Sequence, residues 1–195
     1  MSPAAVALAR RNAVHNALAL SQTPTRQLSF LQADILAPAF DPAAILPSGE
    51  SWDIVVANPP YIDPATWAFG RGELGLSVRR FEPELALVAA ADAPVGVCVD
   101  GQVVAWERKD AFYGRLAQLV RVLKPELVLW EIGDETQAQS VLGIVKRMGL
   151  DAWQQEVWRD WPDGWGDDSE ETQQSLGTVV RGSGNIRSIF LEKTS

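Results

Sequence analysis

The sequence predicts an α/β fold with a mainly parallel sheet covered by helices on both faces, on the strength of three observations. Short apolar runs alternate with longer segments of helical period, the apolar runs are closed by polar or Gly-containing turns, and three runs end on a polar residue, Asp34, Asn58 and Glu131. Open parallel sheets bind ligands outside the carboxyl ends of their strands, so these three ends predict one functional rim.

The elements follow in chain order. Ser2 stands as N-cap and Pro3 as first residue of a helix running from Ala4 to Leu20. Leu28, Phe30 and Leu31 form a β-like segment ending at Asp34, and Trp52 to Ala57 is an apolar, β-branched strand ending at Asn58. Ala111 to Leu123 has helical period, Leu127 to Trp130 is a third strand closed by Glu131-Ile132-Gly133, and Thr136 to Met148 is an amphipathic helix stopped by Gly149. Ala152 to Trp158 and Arg187 to Leu191 complete the set as strands. Gly96 to Asp110 and Pro162 to Asn185 fit this pattern poorly and read as exposed loop insertions. The acidic cluster Asp167, Asp168, Glu170 and Glu171 in the second reads as a solvated face, because no ligand loop of EF-hand spacing surrounds it.

A chain of 195 residues with 47% hydrophobic content is sized for a single domain. Its net charge of -8 and pI of about 4.7 lack the basic excess that attracts phosphate backbones, which disfavours nucleic acid as a direct substrate. The lone cysteine, Cys98, has no disulfide partner and reads as a buried, inert thiol. With His15 as the only histidine, itself read as solvated, there is no cluster of zinc-ligand spacing, and no metal is expected. No run of 18 apolar residues and no secretory organisation occurs, so the chain reads as soluble, without a membrane partner. The eight tryptophans read as packing residues, with Trp67 close enough to the Asn58 turn to contact a substrate.

Asn58-Pro59-Pro60-Tyr61 carries the chemistry. Two consecutive prolines fix the backbone and remove donors where the strand must stop, so the turn is rigid. An amide or exocyclic amine nitrogen is a poor nucleophile because its lone pair is delocalised. The side-chain oxygen of Asn58 and the carbonyl of Pro59 are suited to accept both of its N–H groups and aim the lone pair at a sulfonium methyl, with Tyr61 as an aromatic wall. Such a site needs positioning more than a strong base. The pattern therefore points to an S-adenosyl-L-methionine-dependent methyltransferase acting on a planar nitrogen.

The segment from Asp53 through Asn58, Pro59, Pro60, Tyr61 and Ile62, followed by Arg80-Phe81-Glu82-Pro83 and Ala86-Leu87, resembles the release-factor glutamine methyltransferases of the HemK or PrmC type. Ser2 to Ala9 with Asn12, Gln32-Ala33-Asp34, Glu131-Ile132-Gly133, Arg159-Asp160 and Arg187 to Leu191 extend the resemblance over almost the whole chain outside the two insertions. The resemblance implies a Rossmann-like class I methyltransferase sheet. It implies that Asn58, Pro59, Pro60 and Tyr61 hold the target glutamine, that Asn58 also lies near the cofactor, and that Asp34 and Ile35 border its adenine. The implied substrate is the Gly-Gly-Gln glutamine of class 1 peptide-chain release factors, and the implied product is N5-methylglutamine. Amino-methyltransferases of DNA and RNA share the Asn58–Tyr61 pattern and remain the first alternative, disfavoured by the charge. A catalytically inactive fragment that only binds the substrate protein is the second.

The family's first two strands and Gly-rich loop have no counterpart in this sequence, and Met1 is expected to stand where an intact protein continues upstream. Gly70-Arg71-Gly72-Glu73-Leu74-Gly75 spells the Gly pattern of a nucleotide loop, but no strand precedes it and its context is wrong. Because the missing strands belong between the family's third and fourth, the sheet is expected to carry a gap and the chain alone to be marginally stable. The two insertions depart from compact bacterial forms and point to a mitochondrial protein if the host is eukaryotic, a cytoplasmic one otherwise.

Overall fold

The structure, a computed structural model, describes residues 2–16, 28–41, 51–69, 74–163 and 170–194. Backbone contacts divide the chain into two compact units, Met1–Phe40 and Asp41–Ser195.

In the first unit, helix α1 spans Pro3–His15 with Ser2 at its N-cap and Pro3 in its first turn, as the sequence predicts. Residues 17–20 of the predicted helix lie outside the described residues. The expected strand ending at Asp34 is not one. A strand exists through its ladder, and no described strand pairs with 28–34. The chain turns there instead, with Asp34 Oδ1 accepting from Leu36 N–H at 3.1 Å and the Asp34 carbonyl accepting from Ala37 N–H at 3.1 Å.

The second unit is built on a five-stranded sheet. Its strands are β1 (Ile54–Ala57), β4 (Leu127–Glu131), β7 (Ser183–Glu192), β5 (Gln154–Trp161) and β6 (Val179–Arg181), in that spatial order. β1 pairs parallel with β4 and β6 with β5, while β7 lies antiparallel between β4 and β5, so four strands share one direction and β7 alone is reversed. The two long helices are α4 (Ala111–Leu123) and α5 (Glu135–Arg147), with α4 at the bounds read from the sequence. Their stripes of Tyr113, Leu116, Ala117 and Val120, and of Ala138, Val141, Ile144 and Val145, form the core with Val128, Trp130, Val157, Ile189 and Leu191 of the sheet. Asp134 starts α5, its Oδ1 accepting from Gln137 N–H at 2.7 Å.

Among the described residues of this unit, cover at β1 is seen on one face. Val55, Ala57, Val128 and Trp130 pair across the covered side, whereas Ile54 and Val56 stand 54% and 68% exposed on the other. β1 is also an edge among the described strands, an apolar edge of the kind that invites association.

The stretch expected as a loop insertion at 96–110 is ordered. β2 (Gly96–Val99) and β3 (Gln102–Ala105) form an antiparallel hairpin, followed by a 3-10 turn at Arg108–Asp110. Asp100 and Gly101 both take positive φ, 49° and 82°, which is the two-residue turn that Asp-Gly favours. Cys98 is exposed on this hairpin, opposite Val103, because a two-stranded ribbon turns alternate residues outward; the expectation of a buried thiol is thus corrected.

The second presumed loop is also largely regular. It contains α6 (Glu170–Leu176), β6 and the start of β7, with 164–169 outside the described residues. The acidic cluster falls on those residues and on side chains outside the description, as do residues 70–73 of the Gly pattern. Two short helices, α2 (Pro64–Phe69) and α3 (Leu76–Phe81), lie between β1 and the hairpin, and α2 carries Trp67.

The β5–β6 pairing is locked by Glu156, which is 3% exposed. Arg181 donates to both its oxygens, Nη2 at 2.6 Å, and Trp158 Nε1 and Gln154 Nε2 add bonds at 2.8 and 3.1 Å. The Arg181 bonds, ahead of the rest, pull the Glu156 carboxyl from 4.5 down to about 2. A folded value below the unfolded one means that this stabilisation is complete above pH 4.5 and lost as pH falls towards 2. Arg181→Met is expected to lower stability at neutral pH, by an amount that solvent screening of the half-exposed guanidinium reduces. Urea unfolding followed from pH 7 downwards checks this: the difference from the parent chain should shrink as the carboxyl protonates.

Candidate active site

The turn Asn58-Pro59-Pro60-Tyr61 leaves the carboxyl end of β1. Pro59 is buried, Pro60 and Tyr61 are half-buried, and the Asn58 side chain is exposed with no hydrogen-bond partner among the described residues. The chain after the turn is pinned by Ile62 N–H donating to the Leu87 carbonyl at 2.8 Å, which joins the turn to the end of the Phe81-to-Leu87 segment. Asp63 then starts α2, its Oδ1 accepting from Ala65 N–H at 2.6 Å.

Of the three ends expected at one rim, Asp34, Asn58 and Glu131, the segments after β1 and at the end of β4 are joined, through Tyr61. Tyr61 Oη donates to Glu131 Oε1 at 3.0 Å, and Tyr113 Oη of α4 donates to the Glu131 carbonyl at 2.6 Å. Burial, then the Glu131 bond and its negative charge, push the Tyr61 phenol above its ordinary value, with Arg187 pulling the other way. Tyr61 is therefore a neutral donor across the physiological range. Burial likewise raises Tyr113.

Gly133 follows for a steric reason. A Cβ there would lie 3.3 Å from Tyr61 Cδ2 and 3.3 Å from Gln137 Oε1, so glycine at the Glu131-Ile132-Gly133 end lets the Tyr61 ring approach without a shift of a few tenths of an ångström. On the neighbouring strands, Arg187 Nε donates to Asp160 Oδ1 at 2.9 Å, and Asp160 also accepts from Asn185 N–H at 2.9 Å. These bonds hold the Asp160 carboxyl below the usual carboxylate range, the Arg187 bond foremost.

Asp34 and Ile35, expected beside a cofactor, lie in the first unit, Asp34 exposed and Ile35 half-buried. Sequence reading missed Gln137, which donates to the Tyr61 carbonyl, Tyr113, which donates to the Glu131 carbonyl, and Asp110, which accepts from Gln137, because these bonds cross 76, 18 and 27 positions. Only Gln137, four residues after Gly133 on a helix start, had a local signal.

The α/β fold, with four codirectional strands and one reversed strand between them, is that of a class I methyltransferase. No protein-family model matches the chain. It is 42% identical over 89 residues to the release factor glutamine methyltransferase of Chlorobaculum tepidum, covering 46% of this chain and 26% of that protein. It is 31% identical over 129 residues to the protein of the same name from Bacillus anthracis, covering 65% of this chain and 36% of that protein. A third of that name, from Neisseria gonorrhoeae, is 43% identical over 47 residues, 24% of this chain and 15% of that protein. The chain is thus similar, over part of its length, to proteins named release factor glutamine methyltransferase, and spans about a third or less of the curated relatives it matches.

Proposed function

We propose that the chain carries the substrate-holding part of an S-adenosyl-L-methionine-dependent methyltransferase that methylates the side-chain nitrogen of the Gly-Gly-Gln glutamine in a class 1 release factor. The observation that carries this reading is the Asn58–Tyr61 turn, in which an exposed carboxamide, without a hydrogen-bond partner among the described residues, is followed three residues on by a tyrosine bonded to Glu131. A bound cofactor supplies an electrophilic methyl on a positively charged sulfur. The protein's part is to hold the glutamine: Asn58 Oδ1 and the Pro59 carbonyl take its two N–H groups, and the Tyr61 ring walls the planar amide. As the N–C bond forms and the S–C bond breaks, the sulfur keeps the bonding pair and the nitrogen becomes acidic, so its proton can pass to solvent water and no strong base is required.

Asn58, at the end of β1, is proposed to lie near the cofactor, a role that needs no metal. The net charge of -8 favours a protein over a nucleic-acid substrate.

Calorimetric titration with S-adenosyl-L-methionine, followed by a class 1 release factor, tests the reading. Binding of both, the second persisting in raised salt, is expected. Binding of the release factor without cofactor would favour a substrate-binding fragment, and salt-sensitive binding of RNA in its place would favour the nucleic-acid enzyme. Gly133→Ala should displace the Tyr61 ring by a few tenths of an ångström and lower transfer by about tenfold, since misplacement near 1 Å costs about a hundredfold. Initial rates at saturating cofactor check this.

A further inference from the structure

Beneath the turn lies a polar cluster that the chemistry just described does not use. Asp110 is 0% exposed and Gln137 3% exposed. Asp110 Oδ1 accepts from Gln137 Nε2 at 3.0 Å and Oδ2 from Ser140 Oγ at 2.6 Å. Gln137 Nε2 also donates to the Tyr61 carbonyl at 3.3 Å, while Gln137 Oε1 accepts from Gly133 N–H at 2.8 Å. The carboxamide thus has one allowed orientation, because flipping it would set its oxygen against the Asp110 carboxylate and the Tyr61 carbonyl.

We infer that Gln137 is a positioning residue for the Asn58–Tyr61 turn, its side chain tying the Tyr61 carbonyl and the Gly133 amide to the buried Asp110 carboxylate. Packing alone gives no reason for this choice. A methionine would fill the same volume without burying an amide beside a carboxylate, an arrangement that is costly unless every group is paired. Each bond instead ends on a segment of the site: the turn after β1, the end of β4, and the 3-10 turn before α4. Gln137 fixes the backbone that carries Tyr61 and the surface its ring rests on.

For its effect on transfer the inference rests on the proposed function; its structural part has a separate readout. The sequence holds two tyrosines, Tyr61 and Tyr113, so fluorotyrosine labelling gives two fluorine resonances, assigned with Tyr113→Phe. In Gln137→Met the Tyr61 resonance should shift and its ring become mobile while Tyr113 keeps its position. Asp110→Asn, which still offers Gln137 an acceptor, should leave the Tyr61 resonance in place. If Gln137→Met does not fold, the double variant Asp110→Leu/Gln137→Met strands no buried charge and should show the same displaced Tyr61 signal. In transfer assays Gln137→Met should lower kcat by about a hundredfold with KM for cofactor little changed. An unmoved Tyr61 resonance in the folded variants, or equal loss of both resonances, would overturn the inference. A parent chain without transfer activity would count against the proposed function alone, and the Tyr61 resonance would then decide the positioning role by itself.

Discussion

Asn58→Ala is expected to lower methyl transfer to the release-factor glutamine by about a hundredfold to a thousandfold, the usual cost of removing one preorganised hydrogen-bonding group at a reacting centre. The same change should leave stability nearly untouched. The side chain is exposed and makes no hydrogen bond among the described residues, so folding loses no contact with it. The pairing of a large rate effect with an unmoved urea midpoint separates a substrate-holding residue from a turn former. Single-turnover rates with saturating cofactor and release factor, alongside urea unfolding of each protein, provide both numbers. A variant that is as active as the parent would remove Asn58 from the site.

Gly182→Ala should do the reverse and damage the fold. Gly182 joins β6 to β7 with φ at 84°, and a Cβ placed there would lie 2.0 Å from the Trp161 carbonyl oxygen and 2.5 Å from Pro162 Cα. Both are backbone atoms, so relief requires the end of β5 to move away from the β6–β7 joint. Overpacking of this kind costs about 1–3 kcal/mol, and the positive φ adds about 1–2 kcal/mol more for a residue with a side chain. A loss of about 2–5 kcal/mol is a large fraction of what holds a domain together, and the urea midpoint of the variant should fall well below that of the parent. Circular dichroism through a urea series measures it; a midpoint equal to that of the parent would mean that the joint is looser than its geometry.

Most of the scaffold was legible because its elements are set by local pattern. α4 and α5 follow from helical period, and β1 and β4 from apolar runs that end in polar or turn residues. The hairpin at Gly96–Ala105 was also within reach, since Asp100-Gly101 between two Val-rich runs is a strong hairpin signal; polar neighbours masked it. The segment 28–34 was read as a strand on its apolar residues, but a strand depends on a neighbour that local pattern does not supply. Exposure of Ile54, Val56 and Cys98 was misjudged for the same reason, as burial belongs to the packed partner and not to the residue.

The candidate site divides along the same line. Asn58 to Tyr61 were readable because two prolines after a strand are a local device with a chemical purpose. Glu131 was readable as a strand end, though its bond to Tyr61 crosses 70 positions. Gln137 reaches the Tyr61 carbonyl across 76 positions and Asp110 across 27, contacts that only the sheet order and the packing of α4 and α5 create.

In the proposed function this turn holds a glutamine carboxamide for methylation. The most direct measurement incubates the chain with methyl-labelled S-adenosyl-L-methionine and a class 1 release factor and locates the label by tandem mass spectrometry. One methyl group on the Gly-Gly-Gln glutamine, absent with Asn58→Ala, is the expected result. Cofactor and release factor both bound by the chain, with no label on that glutamine, would contradict it.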